Sequence, residues 1–144
     1  MKKLTLAAFA ATILVGFAQN ASAAEKINWR TDYAKALAES KKAKKPVFLN
    51  FGTTWCGACQ YFLNTTAKDP SFIKESRNWI MVKLDPEKSK SSAQAAQKYR
   101  VDGFPTLVFT NSSGKQLERM DGIAAGNWKQ WLEPKLKSAK KKFR

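Results

Sequence analysis

Two cysteines, Cys56 and Cys59, constrain this chain more than any other residues, because they are its only cysteines and lie three positions apart. The apolar run 47–51 just upstream predicts a buried strand, and the residues from Cys56 to about Thr66 predict a helix. A Cys-x-x-Cys pair at the start of a helix that follows such a strand is typical of a redox-active dithiol. The sequence therefore predicts an α/β domain whose sulfur chemistry lies at one strand-to-helix junction.

The first 23 residues have the pattern of a cleaved signal peptide. Lys2 and Lys3 form a basic start, the apolar stretch 4–18 follows, and residues 21–23 form a small-residue cleavage site. Because the apolar stretch is shorter than the ~20 residues of a membrane-spanning helix, we expect cleavage rather than anchoring. We therefore expect a mature domain of residues 24–144, located in the periplasm or otherwise exported, with no stable membrane insertion.

A disulfide between Cys56 and Cys59 is compatible with such an oxidising compartment and has two alternative roles. A structural crosslink is the weaker alternative, because a loop this short restricts the unfolded chain little. The spacer residues Gly57 and Ala58 are small and are expected to leave the first sulfur accessible at the helix start. The favoured alternative is a redox pair that needs no other cofactor.

The chemistry of such a pair follows from its position. The helix dipole and the unpaired N–H groups at a helix start stabilise the Cys56 thiolate and lower its pKa. Cys59 lies one turn further along the same face, close enough for a disulfide. We expect the Cys56 thiolate to attack a partner disulfide and Cys59 to resolve the mixed disulfide that forms.

Composition excludes several other kinds of site. The chain contains no histidine, which excludes Cys–His proteases and imidazole acid–base catalysis and removes a common ligand of zinc and haem. Two cysteines without a neighbouring methionine make a poor Cu(I) site. We therefore expect no bound metal.

The charge is strongly basic. Without Lys2 and Lys3 the net charge is +13, because 24 basic residues then face 11 acidic ones. The basic residues cluster at 41–45 and at 135–144. These clusters have two alternative interpretations. They contact an acidic partner or an anionic membrane surface, or they are only a solvated helix face and a frayed basic tail. We favour the second interpretation. Nucleic acid is not expected as a partner of an exported protein.

The hydrophobic pattern divides the rest of the chain into alternating helices and strands. In the first half we expect a helix from a Thr31 cap to Ala43, the strand 47–51, and the helix from Cys56, which breaks at Asp69 and Pro70. A short helical piece at 72–73, a strand 79–84 and a helix 91–99 follow. The last part is a strand 104–110, a turn 111–114, a returning strand 115–121, and a helix from about Asn127 that Pro134 kinks or breaks. Helical crossovers imply parallel strands and the late hairpin an antiparallel pair. The predicted fold is a mixed sheet of four to five strands with helices on both faces, the fifth strand lying around Ile27.

Several motifs together resemble the thioredoxin family. They are the segment 51–59 with its Trp-Cys-Gly-Ala-Cys, the Lys-Leu-Asp at 83–85, the segment 99–106 that ends in Gly-Phe-Pro-Thr, Gly114 and Gly122. The resemblance covers nearly the whole mature chain from about residue 45. The preceding basic helix is similar to thioredoxin-like domains of the exported reductase branch, which includes the periplasmic domain of the transmembrane electron transporter of the envelope.

The resemblance implies further roles at the site. Pro105 would follow a cis peptide bond and lie against the disulfide, and the Phe104 backbone would hydrogen-bond an extended substrate segment, as in strand addition. Trp55 either belongs to an apolar docking surface or only shields the disulfide.

Two positions depart from the family pattern. The dipeptide between the cysteines is often Gly-Pro, whereas here it is Gly57 and Ala58, a change that should shift the reduction potential. The position six residues before the first cysteine usually holds a buried aspartate that helps to deprotonate the resolving cysteine, and here it is Asn50. Because asparagine cannot take a proton, Cys59 must lose its proton to water or to Lys83, which matches the partner lysine of the family, or the transfer must be slow.

The sequence thus predicts an exported thiol–disulfide oxidoreductase that reduces protein disulfides. It would be a monomer whose partners are protein thiols and disulfides, with an upstream electron donor such as a membrane thiol transporter. The alternatives are an oxidase or isomerase of secreted proteins, or a non-catalytic basic binding module.

Overall fold

A four-stranded mixed sheet forms the centre of the protein, in a computed structural model that describes residues 25–143. Its strands are β1 (Val47–Phe51), β2 (Ile80–Leu84), β3 (Thr106–Thr110) and β4 (Gln116–Asp121), in the spatial order β2-β1-β3-β4. β1 and β2 are parallel, and the β1–β3 and β3–β4 pairs are antiparallel. The expected mixed sheet is confirmed, and the predicted signal peptide (1–23) lies outside the described residues.

Helices connect and cover these strands. They are α1 (Tyr33–Ala43), α2 (Gly57–Asn64), a short 3₁₀ turn (Thr66–Lys68), α3 (Pro70–Ser76), α4 (Lys90–Lys98), α5 (Trp128–Trp131) and α6 (Glu133–Phe143). The first helix begins one residue later than expected, because the Asp32 carboxylate, not Thr31, accepts the Lys35 backbone N–H at 3.0 Å. Asp69 caps α3 in the same way. Pro70 lies in the first turn of α3, where a backbone N–H would have no partner within the helix, so the missing N–H of proline costs no hydrogen bond.

The side chains of β1 alternate between two cores. Val47, Leu49 and Phe51 pack with α1 and α4, whereas Phe48 packs with α2, α3, α5 and α6. Helices therefore lie on both faces, as predicted. Because side chains in a strand alternate with a period of two, Asn50 shares the face of Phe48 and points toward the layer that contains α2.

The C-terminal helix is broken as Pro134 predicted. α5 ends at Trp131 and α6 begins at Glu133, so that Pro134 lies in the first turn of α6, where proline is tolerated. The prediction of a frayed basic tail was wrong: α6 continues to Phe143.

Several basic residues of α6 pair with acidic residues elsewhere in the fold. Leu136 and Ala139 are buried in the core, which fixes the helix on the same face as α2. Lys142 donates to Glu118 of β4 at 2.6 Å, and Lys140 forms an ion pair with Glu75 at 2.5 Å. Much of the positive charge of this segment is therefore compensated within the fold.

The segment before α1 does not form the fifth strand expected around Ile27. Ile27 is buried in the core, and Arg30 makes a single parallel bridge to β2, donating to the Met81 carbonyl at 2.9 Å and accepting from the Lys83 N–H at 2.8 Å. Within residues 25–143, no helix has the length and apolar character needed to cross a membrane.

Candidate active site

Cys56 and Cys59 are joined in a disulfide at the junction of β1 and α2, with their Cα atoms 5.2 Å apart. Cys56 is the N-cap residue of α2, and its sulfur accepts the Cys59 backbone N–H at 3.1 Å. A sulfur that already accepts a hydrogen bond at a helix N-terminus is stabilised further when it becomes a thiolate. The structure thus brings the two predicted sulfur atoms together at the predicted place.

The disulfide is recessed, contrary to the expectation of an accessible first sulfur. Cys56 is only 6 % exposed and Cys59 only 3 %. The residues around them are exposed instead: Trp55 by 68 %, with Gly57 and Ala58 also in the exposed class. A partner therefore meets a rim formed by Trp55 and the spacer residues before it reaches the sulfur of Cys56.

The second predicted motif lies beside this rim. The Phe104–Pro105 peptide bond is cis, as the family resemblance implied. The Phe104 ring packs edge-to-face against Trp55, with ring centroids 6.1 Å apart. Within residues 25–143, the backbone of Phe104 makes no hydrogen bond, whereas the Pro105 carbonyl accepts the Gly122 N–H at 2.7 Å. The exposed Trp55 ring therefore lies beside a stretch of backbone at Phe104 that is free to pair.

Asn50 and Lys83 face one another across the β1–β2 pair, where they are register partners. Asn50 is 2 % exposed, and its Oδ1 has no hydrogen-bond partner within residues 25–143. Thr53, 3 % exposed, has an unpaired Oγ1 in the same part of the chain. Buried polar atoms without partners usually contact ordered water or a ligand.

A cavity of about 440 Å³ lies beside Cys59. It extends from Cys59 past the unpaired Asn50 and Thr53 to the loop between β2 and α4. Its lining includes Asn50, Gly52, Thr53, Cys59, Lys83 and Lys88.

Gly52 is a site residue that the sequence reasoning missed. A Cβ atom at this position would lie 2.9 Å from the Cys59 sulfur, closer than real contacts allow. Glycine therefore lets the sulfur lie directly against the wall of the cavity. The signal in the sequence was a glycine immediately after the buried strand 47–51.

Glu87 is a second missed residue. The Trp55 indole Nε1 donates to the Glu87 carboxylate at 2.9 Å, and the Glu87 N–H in turn donates to Asp85 at 3.0 Å. Its only signal was the turn-forming Asp-Pro pair that precedes it. No group of three or more metal-ligating side chains occurs in residues 25–143.

Comparison with known proteins agrees with this geometry. Residues 33–134 match the family model described as a thioredoxin-like domain. The chain belongs to the thioredoxin-like family. It is therefore a thiol–disulfide oxidoreductase with Cys56 and Cys59 as its redox pair.

Individual proteins that are similar to this chain support the same family. The disulfide bond reductase DsbH of Chlamydia pneumoniae is 36 % identical over an alignment of 129 positions, which covers 83 % of this chain and 76 % of that protein. The thiol:disulfide interchange protein DsbD of Vibrio vulnificus strain CMCP6 is 31 % identical over 90 residues, or 62 % of this chain, but this match spans only 15 % of DsbD. The solved structure of a DsbH oxidoreductase superimposes with a TM-score of 0.70 at 32 % identity, covering 83 % of this chain and 88 % of that one.

Proposed function

We propose that this thioredoxin-like protein is an exported reductase of protein disulfides. The observation that carries the proposal is the Cys56–Cys59 pair, in which Cys56 caps α2 and accepts the N–H of Cys59. In the reduced protein the same N–H and the helix start stabilise the Cys56 thiolate, which makes Cys56 the nucleophile. Cys59, buried one turn further on, is the resolving cysteine.

The reaction runs in two exchanges. The Cys56 thiolate attacks one sulfur of a partner disulfide, forming a mixed disulfide and releasing the other partner sulfur as a thiolate, which takes up a proton. Cys59 then loses its proton and attacks the Cys56 sulfur, releasing the second partner thiolate. The protein ends with its own disulfide, the state that the structure describes.

Docking brings the partner sulfur down to the recessed Cys56. The free backbone of Phe104 supports pairing with an extended partner segment, and the buried Pro105 fixes the direction of that backbone. Trp55 supplies apolar surface beside the segment, and the exposed Gly57 and Ala58 leave room for it.

The proton of Cys59 needs an acceptor other than Asn50. Asn50 lines the same cavity as Cys59 but cannot be protonated at ordinary pH. Water within the cavity is the acceptor, and Lys83, whose side chain lines the same cavity, stabilises the thiolate that remains.

Direction and location rest on resemblance and on the N-terminal pattern. DsbH is named a disulfide bond reductase, and the signal-like residues 1–23 support export of the mature domain 24–144. A reductase outside the cytoplasm needs a supply of electrons, so an upstream donor such as a membrane thiol transporter belongs to the proposal. The protein is proposed to act as a monomer.

The reduction potential of the Cys56–Cys59 pair tests the direction. Purified mature protein is equilibrated in glutathione buffers of known ratio, and alkylated thiols are counted by mass. A potential at or below about −230 mV supports a reductase. A potential between about −120 and −180 mV would instead make the protein a donor or isomerase of disulfides.

A second experiment separates the enzyme from a non-catalytic binding module. Cys56→Ser should abolish the reduction of insulin disulfides, whereas a binding module would keep its partner binding unchanged in this variant. Ala38→Ser, a similarly small change on the exposed face of α1, serves as the control and should retain insulin reduction.

A further inference from the structure

We propose that the protein binds reversibly to the surface of an anionic phospholipid membrane through one end of its sheet, with the redox pair facing the water. This surface lies where the chain enters β1, whereas Cys56 and Cys59 follow the opposite end of that strand. It carries seven lysines, which together are called the basic end: Lys41, Lys42, Lys44, Lys45, Lys74, Lys115 and Lys141.

The loop between α1 and β1 contacts the end of α3. α1 has two lysines in its last turn, and two more follow it directly. The Lys45 ammonium donates to the carbonyl of Arg77, the C-cap of α3, at 2.7 Å. Lys74 lies in the last turn of α3. The two helices therefore bring their C-terminal lysines to the same place.

The hairpin between β3 and β4 lies at this end as well. Val47, the first residue of β1, is the register partner of Thr110, the last residue of β3. Lys115 belongs to the short connection that leads from β3 into β4. The hairpin therefore places its lysine at the end of the sheet where β1 begins.

The end of α6 completes the group. Lys142 donates to the carbonyl of Leu117, near the start of β4, at 3.0 Å. Lys140 pairs with Glu75 near the end of α3 at 2.5 Å. Lys141, between these two anchored residues, therefore also lies at the basic end.

The positive charge of the basic end is not cancelled by acidic neighbours. Within residues 25–143, none of its seven lysines forms an ion pair, and all seven are exposed. The acidic residues of the segments that meet there are paired with other basic residues: Glu25 with Arg77, Glu39 with Arg30, Glu75 with Lys140 and Glu118 with Lys142. The seven lysine charges therefore remain available to an external anion.

Stabilisation of the helices does not account for all of these lysines. A lysine in the last turn of a helix compensates the helix dipole, but Lys44, Lys45 and Lys115 lie outside the helices. Lys44 has a φ of +52°, a left-handed conformation that glycine or asparagine adopts with less strain. A charged side chain at such a position is better explained by a contact outside the fold.

The kind of side chain favours a lipid surface over a protein partner. Protein interfaces are enriched in aromatic residues and arginine and depleted in lysine. Within residues 25–143 the exposed large apolar side chains are Trp55 and Tyr61, which lie before and within α2 and not at the basic end. Lysines spread over four segments instead suit the headgroups of a fluid membrane, which can move to meet each charge.

Binding through the basic end leaves the redox pair accessible. β1 is five residues long, so its two ends are roughly 13 Å apart at about 3.3 Å per residue. The redox end carries charges of both signs, including Asp85, Glu87 and Lys88, which follow β2 where it pairs with Phe51. This asymmetry of charge orients the protein with its basic end toward an anionic surface. Because no lipid anchor or inserted helix is involved, the binding is reversible.

Sedimentation with vesicles tests the surface. The mature protein is mixed with vesicles of phosphatidylcholine, with or without phosphatidylglycerol, and the bound fraction is measured. We expect binding to the anionic vesicles alone, weakening as ionic strength rises from about 0.01 to about 0.15 M, because the Debye length falls from about 30 to about 8 Å. Equal binding to both kinds of vesicle, or binding to neither, would overturn the proposal. Binding to polyglutamate but not to anionic vesicles would also overturn it and would assign the basic end to an acidic protein.

Matched double variants locate the binding surface. Lys41→Gln with Lys42→Gln and Lys88→Gln with Lys90→Gln remove the same charge, and all four lysines are exposed and without ion pairs within residues 25–143. Each lysine near an anionic surface is worth about fivefold in binding, so the first variant should bind anionic vesicles about 25-fold more weakly. The second should change little. Equal losses would show that net charge and not the basic end governs binding.

The redox chemistry is tested separately from this surface. Cys56→Ser, which cannot reduce insulin, should bind anionic vesicles as the wild type does. Lys41→Gln with Lys42→Gln should reduce insulin in solution at the wild-type rate. A high reduction potential would overturn the proposed direction of the reaction and leave vesicle binding intact.

Alkylation of Cys56 tests the orientation. In Cys59→Ser, uncharged iodoacetamide should modify Cys56 at the same rate in free protein and in protein bound to anionic vesicles. Slower modification on the vesicles would show that the redox end faces the lipid, which would overturn the proposed orientation.

Discussion

The indole nitrogen of Trp55 donates a hydrogen bond to the carboxylate of Glu87 at 2.9 Å, across 32 positions of sequence. Trp55 is 68 % exposed, so its burial contributes little to fixing its orientation. The bond to Glu87 and the edge-to-face contact with Phe104 together hold the ring beside the redox pair.

Glu87→Ala should therefore weaken docking without changing the chemistry of the sulfurs. We expect the KM for a protein disulfide to rise about two- to tenfold, the worth of one exposed hydrogen bond, with little change in kcat. Glu133→Ala removes an acid of α6 and serves as the control. A fall in kcat at constant KM would show that Glu87 acts on the reaction rather than on docking.

Lys83→Met should raise the pKa of the Cys56 thiol. In the absence of an aspartate at position 50, the Lys83 ammonium has no carboxylate register partner and is free to favour a thiolate at the redox pair. The ultraviolet absorbance of the thiolate, followed against pH in the reduced protein, measures the shift. Lys74→Met, on the exposed face of α3, should leave the pKa of the Cys56 thiol unchanged. An unchanged pKa in Lys83→Met would contradict the prediction.

Asn50→Asp should make stability fall as pH rises. The new carboxyl lies at a position only 2 % exposed, so burial raises its pKa in the folded state above the unfolded value. A raised folded pKa gives stability that is complete below the unfolded pKa and is lost as pH rises through the folded one. We expect a loss on the order of 1–3 kcal/mol at pH 7. Denaturant unfolding between pH 4 and 8 measures it, and the exposed Asn64→Asp should show no such trend.

Glu118 should make the protein lose stability in acid. Hydrogen bonds from Lys142 and Ser138 lower the pKa of Glu118 to about 2. A lowered folded pKa gives stability that is present above the unfolded value and is lost as pH falls toward 2. Glu118→Gln should cost about 1 kcal/mol at pH 7 and nothing near the folded pKa, as measured by denaturant unfolding. Equal losses at both pH values would contradict this link between α6 and β4.

Gly114→Ala should destabilise the protein more than Gly122→Ala. Both glycines have positive φ, +77° and +76°, so both changes strain the backbone by about 1–2 kcal/mol. Only at Gly114 would the new Cβ meet neighbours, lying 2.6 Å from the Tyr33 hydroxyl and 3.2 Å from that of Tyr99. Thermal unfolding of the two variants should show the lower Tm for Gly114→Ala, and equal Tm values would mean that these side chains move aside.

The sequence was sufficient for those features that local pattern determines. The apolar run at 47–51, the helix after Cys56 and the break at Pro134 all follow from periodicity and from the chemistry of proline. The choice between Thr31 and Asp32 as a cap does not, because threonine and aspartate are both favoured N-cap residues.

Features made by distant residues were not accessible to the same reasoning. The bond between Trp55 and Glu87 and the compensation of α6 lysines by Glu118 depend on how the finished layers align. The cis bond before Pro105 was implied by resemblance alone, because only about one X–Pro bond in twenty is cis. The cavity arises from Gly52 together with residues that follow β2, which no single stretch of sequence displays.

The bridge from Arg30 to β2 protects one edge of the sheet from pairing with other chains. It occupies part of the outer edge of β2, while β4 at the other edge carries Glu118 and Arg119 and pairs with β3 through a β-bulge. Charged side chains, bulges and occupied backbone groups discourage uncontrolled pairing with foreign strands. Both edges of the sheet are thereby protected from uncontrolled pairing, and in the proposed function the Phe104 backbone is the short segment left to pair with a partner.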